Sequence, residues 1–188
     1  MNYLIKYNNS YAWKIKDSIF ETYRIKEAAK NFILTETGKG AVCTKVKFEA
    51  KGEFLIYKFD QSIKREGQKI KFLFPFFNEG RINSINDFII FYKKPNGSIY
   101  AIICNLKSNN SGNNMDQIEA GVIFSQFIYD SVKRVHPEIF SSTKLKFVKV
   151  LFSSKRLYQN RKNNQKSIIN LVSNSQINES FTFEHWCH

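Results

Sequence analysis

Apolar residues recur along the chain in two rhythms, one helical and one extended. From Asp17, residues Ile19, Phe20, Tyr23, Ile25, Ala28, Ala29 and Phe32 fall near helical spacing, which predicts a first helix. Asp17 is its expected N-cap, because the carboxylate can accept the exposed amides of the first turn. Gly38 and Gly40 end this region. Residues 42–48 then alternate loosely, and residues 54–59 are rich in β-formers, so the pair predicts a hairpin turning at Gly52. Residues 61–70 are polar and charged and read as a loop. Residues 72–77 are apolar but broken by Pro75, which argues against a central strand.

The strongest local signal follows. Residues 87–92 form a strand candidate, and Lys94-Pro95-Asn96-Gly97 supplies turn chemistry, since Pro presets one dihedral and Asn-Gly tolerates positive φ. The return run, 98–107, is almost continuously apolar up to Cys104, which predicts burial on both faces of a sheet. A polar stretch, 108–114, carries four Asn and one Gly. A long helix is expected from Asn114 to Val135, with Ile118, Val122, Phe124, Ser125, Ile128, Tyr129 and Val132 on its inner face and His136-Pro137 as its stop. Residues 146–152 alternate basic and apolar side chains and predict a further strand. The order helix, strand, strand, strand, helix, strand implies an α/β fold, a central mixed sheet flanked by helices. The expected organisation is a core domain over 1–152 and a basic C-terminal extension over 153–188, packed on or trailing from it.

Composition narrows the classes. With 188 residues, 43% of them apolar, the chain can bury one sizeable core, and global disorder is excluded. Three Pro and eight Gly exclude collagen-like and linker classes. Cys43, Cys104 and Cys187 are odd in number and far apart, which favours a reducing compartment over a disulfide framework. No run is long and apolar enough to span a bilayer, and the first residues lack a secretory signal pattern, so a cytoplasmic protein without membrane association is expected. Twenty-nine Lys and Arg against sixteen Asp and Glu give a formal charge of +13, a balance suited to nucleic acid. Nineteen Asn and abundant Lys, Ile and Phe also fit AT-rich coding, which accounts for part of that charge without a partner.

Candidate chemistry concentrates at the open end of the central hairpin. Asp87 begins one strand and lies opposite about Asn105 on its partner. Asn105 and Lys107 share a face because strand side chains alternate. Each residue alone reads as an ordinary strand end. Together, Asp87-Phe88-Ile89-Ile90 and Ile103-Cys104-Asn105-Leu106-Lys107-Ser108, followed by Gln117 in the first turn of the next helix, resemble the core of the PD-(D/E)xK (restriction-endonuclease-like) nuclease superfamily. The resemblance covers roughly residues 17–152 and implies an αβββαβ core and a metal-dependent endonuclease acting on DNA ahead of RNA, in a restriction or antiviral-defence setting. It further implies Mg²⁺ or Mn²⁺ held by Asp87, the Asn105 position and the Leu106 carbonyl, with Lys107 orienting the attacking water. Glu21 on the first helix, with Glu27 behind it, is the position from which such enzymes often complete the site.

Asn105 departs from the pattern, which has a carboxylate there. Mg²⁺ prefers carboxylate and water oxygens, so a neutral amide weakens the site. Three readings follow. The acid has moved to the next helix, with Glu119 first and Asp116 second. Asn105 is an inactivating substitution. Or the protein keeps the fold without catalysis, as a nuclease-like module that binds nucleic acid or a partner subunit. Gln117 and Glu119 point in different directions on an ideal helix, so only one of them can face the strand ends. A homodimer is also compatible with the sequence.

Between Lys144 and Lys166 there are eight basic residues and no acid: Lys144, Lys146, Lys149, Lys155, Arg156, Arg161, Lys162 and Lys166. A solvated strand edge would look the same, but beside a nuclease-like core the run is expected to contact phosphates, giving affinity and not sequence choice. The terminal His185, Cys187 and His188 are zinc-ligand types at a spacing that fits no finger pattern. Nucleotide-binding and zinc-protease motifs do not occur.

Overall fold

A computed structural model describes residues 14–15, 18–19, 24–25, 31–35, 45–49, 53–59, 63–65, 68–70, 86–107, 114–140, 143–153, 168–172 and 180–187. The centre of the fold is a meander. Strand β4 (Glu53–Tyr57) pairs antiparallel with β7 (Phe88–Lys93), which pairs antiparallel with β8 (Ile99–Lys107). The turn between β7 and β8 is closed by Gly97 N–H donating to Lys94 O at 2.9 Å, with Gly97 at φ 88°. That dihedral lies where a Cβ would clash with the backbone, so glycine is the residue the turn requires. Helix α1 (Asn114–Val135) then crosses back, and β9 (Leu145–Ser153) lies parallel to β8 along its whole length, from Ile99 beside Leu145 to Lys107 beside Ser153. A parallel neighbour needs such a crossover, and a helix supplies it. A short helix, α2 (Pro137–Phe140), follows α1 directly, and Tyr129 of α1 stacks edge-on against Phe140.

Strands β1 (Arg24–Ile25) and β10 (Ile168–Val172) flank the meander, giving a six-stranded mixed sheet in the order β1-β4-β7-β8-β9-β10. Its two faces are covered differently. Alternate residues Ile99, Ala101 and Ile103 of β8, with Ile89 and Phe91 of β7, pack against Ile118, Ile128, Tyr129 and Val132 of α1. The intervening Tyr100, Ile102, Cys104 and Leu106 pack against a second sheet, β2 (Asn31–Thr35), β3 (Lys45–Glu49) and β11 (Ser180–Thr182). Every residue from Ile99 to Leu106 is buried, as the unbroken apolar run predicted. The architecture is therefore mixed α/β, with a helix on one face of a mixed sheet and a small sheet on the other. No helix among the described residues is long and apolar enough to cross a membrane.

Three expectations are corrected. Of the helix expected from Asp17 to Phe32, the described residues Arg24–Ile25 form β1 and Asn31 and Phe32 open β2, while Ser18 is helical, as are Lys14 and Ile15 before it. In β2 the burial alternates, Phe32 and Leu34 inward and Ile33 and Thr35 outward, so pairing with β3 overrides the helical spacing. The hairpin expected across Gly52 does not form. Strands β3 and β4 belong to different sheets, because Val46 and Phe48 are buried against Phe32 and Phe183. The region expected as a loop at 61–70 contains an antiparallel ribbon, β5 (Ile63–Arg65) with β6 (Gln68–Ile70). The C-terminal residues supply two strands, and the turn Phe183–His185 places Phe183 and Cys187 fully inside the core. Residues 72–77 lie outside the described residues.

Candidate functional site

The register that pairs Phe88 with Cys104 carries Asp87 to Asn105 at the open end of the hairpin. The two residues hold each other through the backbone. Asp87 N–H donates to Asn105 Oδ1 at 3.1 Å, and Leu106 N–H donates to Asp87 Oδ2 at 2.6 Å. Asn105 Nδ2 in turn donates to Gln117 Oε1 at 3.3 Å, which ties the first turn of α1 to the strand end. Asn105 is wholly buried and Asp87 is 8% exposed. A charge-assisted bond from a backbone amide to a carboxylate is among the stronger hydrogen bonds, so the arrangement fixes both strand ends.

Asn86 deepens the cluster. It is buried, and its Nδ2 donates to Phe88 O and, at 3.5 Å, to Cys104 O. Its Oδ1 faces α1 at Gly121 with no hydrogen-bond partner among the described residues. A Cβ at Gly121 would overlap that oxygen and lie 2.6 Å from Cγ2 of Ile103, so only glycine lets the helix sit this close to the sheet. Ser125, one turn on, is fully buried and returns its hydroxyl to Gly121 O at 2.7 Å. Neither Asn86 nor Gly121 was singled out by sequence. The available signals were an Asn next to the candidate carboxylate and a glycine inside a helix, which by itself costs helix stability and therefore calls for a packing reason.

Of the other expected site residues, Gln117 is the helix residue that reaches the strand end. Glu119 turns to β9 and forms an ion pair with Lys149 at 2.6 Å. Lys149 lies beside Ile103, two positions before Asn105. Asp116 is exposed. The backbone of Lys107 closes β8, and its side chain lies outside the described part; Glu21 and Glu27 are outside the described residues altogether. At Leu106 it is the amide that meets Asp87. Burial raises the Cys104 thiol well above its ordinary value of 9.0, with the Asp87 charge acting in the same direction, so it stays neutral beside the cluster.

Among the described residues these donors fall short of a magnesium site. They include one carboxylate, that of Asp87, and one of its oxygens accepts the Leu106 amide. The neighbouring side-chain oxygen belongs to an amide and accepts the Asp87 N–H. Among the described residues, no three His, Cys, Asp or Glu side chains converge as metal ligands. Mg²⁺ is ordinarily held by carboxylate oxygens together with water, and the arrangement offers too little charge for that.

The expected basic surface is described in part. Lys144 and Lys146 on the approach to β9 and its start are exposed, and Lys146 lies 5.4 Å from the centre of the Tyr100 ring. Lys149 is paired with Glu119. Lys155, Arg156, Arg161, Lys162 and Lys166 lie outside the described residues. At the far end, His185 is exposed while Cys187 is buried, with its thiol pushed up to about 12 chiefly by that burial, and His188 lies outside the described residues. No family model, curated protein or solved structure matches the chain.

Proposed function

We propose that the chain is a nuclease-like module that binds nucleic acid through its positive charge and does not cut it. The observation that carries this reading is Asn105. It stands where the resembled nucleases place a second metal-binding carboxylate, and here it is a buried neutral amide engaged by Asp87 and Gln117. Two features support the nuclease-like part: the order of the meander, helix α1 and parallel β9, and the meeting of Asp87 with Asn105 at the strand end. The charge of +13 supports the binding part.

The test is a pair of measurements on the full chain. Fluorescence anisotropy with duplex DNA and with RNA is followed across salt. Neutralising about four phosphates predicts a loss of roughly a hundredfold in affinity between 50 and 200 mM salt. The same substrates are then incubated with Mg²⁺ and Mn²⁺. The expected result is salt-sensitive binding without cleavage. Divalent-dependent cleavage that disappears in Asp87→Ala would establish an endonuclease instead. Cleavage appearing only in Asn105→Glu would identify Asn105 as the residue that removes activity. Absence of binding to either nucleic acid would sink the reading.

A further inference from the structure

The outer face of α1 carries a seam that the inner packing does not use. Residues Asp116, Ala120, Ile123, Phe127, Asp130 and Arg134 alternate in steps of four and three, and on an ideal helix all lie within about 40° of one line. That is the spacing of the a and d positions of a coiled coil. At its centre Ile123 is 70% exposed and Phe127 61% exposed, large apolar side chains that a soluble surface rarely sets together. Ile19 and Val135 widen the patch around a shallow hollow beside Phe127. The ends of the seam are charged with opposite sign, Asp116 in the first turn and Arg134 in the last.

We infer that this face docks a second copy of the chain, helix α1 against helix α1, antiparallel about a two-fold axis. Antiparallel pairing matches a with d positions, so Ile123 meets Phe127 of the second copy, Ala120 meets its Asp130, and Asp116 meets its Arg134. The two-fold repeats each contact, which doubles the Asp–Arg pairs. Parallel pairing would set Asp116 against Asp116 and Arg134 against Arg134, and would align the helix dipoles. The apolar centre with complementary ends therefore selects a self-partner in one orientation. The helix is about 33 Å long, and two helices alone cover less than the roughly 800 Å² per partner of a standard interface, so the dimer is concentration-dependent.

Sedimentation velocity of the full chain, run up to its solubility limit, tests this. The wild type is expected to pass from monomer to dimer. Phe127→Glu should weaken the dimer about tenfold or more, while in dilute solution, where both proteins are monomers, its melting temperature should fall only by what its outer ring contact with Phe124 contributes. Asp116→Arg and Arg134→Asp alone should each weaken it about fivefold, and the double reversal should return it to within about twofold of wild type. A chain that stays monomeric at every concentration overturns the inference. So does a dimer indifferent to Phe127→Glu, or one that the double reversal fails to restore. A fall in the melting temperature of Phe127→Glu in dilute solution as large as that of a core truncation would mean that part of the same chain covers the seam, which also overturns it.

Discussion

The two faces of the central sheet are built on different physical terms. Toward α1, the strand ends are joined by Asn86, Asp87, Asn105 and Gln117, buried polar groups whose hydrogen bonds have direction and permit few alternatives. On the opposite face, Phe32, Phe48, Phe54, Phe183 and Trp186 form an aromatic cluster. Phe32 is stacked on Phe48 at 5.1 Å, and Phe48 meets Phe152 edge-on at 5.7 Å. Aromatic packing is strong in area but tolerant in angle. The comparison teaches that stability and placement are separated. Apolar packing on both faces holds the layers together, while the polar groups at the α1 side decide where the strand ends and the first turn of the helix lie.

Substitutions can break that comparison. Phe48→Ala should cost about 3–5 kcal/mol, read by chemical denaturation, because it empties the middle of the aromatic cluster. Phe48→Leu should cost less than about 2 kcal/mol if the cluster is as tolerant as claimed. A comparable loss from both would mean that ring geometry, and not apolar volume, holds the second sheet. Gly121→Leu should cost about 3 kcal/mol, since the helix must lift from Asn86 and Ile103; a neutral result would show that the helix is free to shift.

Asn105→Leu should cost about 1–3 kcal/mol by stranding the Asp87 amide, and should perturb the exchange of that amide and of Gln117 more than any amide of β2 or β3. The smallest expected effect is on pH. The Cys104 and Cys187 thiols, ordinarily ionising at 9.0, are raised by burial, as is the Tyr92 hydroxyl, which donates to Glu184 at 2.8 Å. Folded-state values above unfolded ones mean that this stability is complete below about pH 9 and declines as the pH rises further. Cys104→Ala should flatten that alkaline decline by up to about 1.4 kcal/mol per pH unit, measured between pH 9 and 11. An unaltered slope would mean that Cys104 ionises freely and that the strand end is open.

Legibility follows the same division. The β7–β8 hairpin, the span of α1 and the position of β9 were readable because their signals are local: a Pro-Asn-Gly turn, a helical period, an alternating strand. Asp87 beside Asn105 followed from counting back from that turn. The choice between Gln117 and Glu119 did not, since it depends on how α1 is rotated over the sheet, and that rotation rests on Gly121 and on Lys149 drawing Glu119 aside. The second sheet was illegible for a further reason. Its strands come from residues 31–35, 45–49 and 180–182, and no local pattern announces a pairing across such separations. The sequence by itself determined the charge, the hairpin, the crossover helix and the neutral amide at the strand end, because each is set by neighbouring residues. Only the tertiary structure decided that this amide is buried and fully engaged, that Phe183 closes the core, and that Ile123 and Phe127 face outward, because burial depends on which distant surfaces meet.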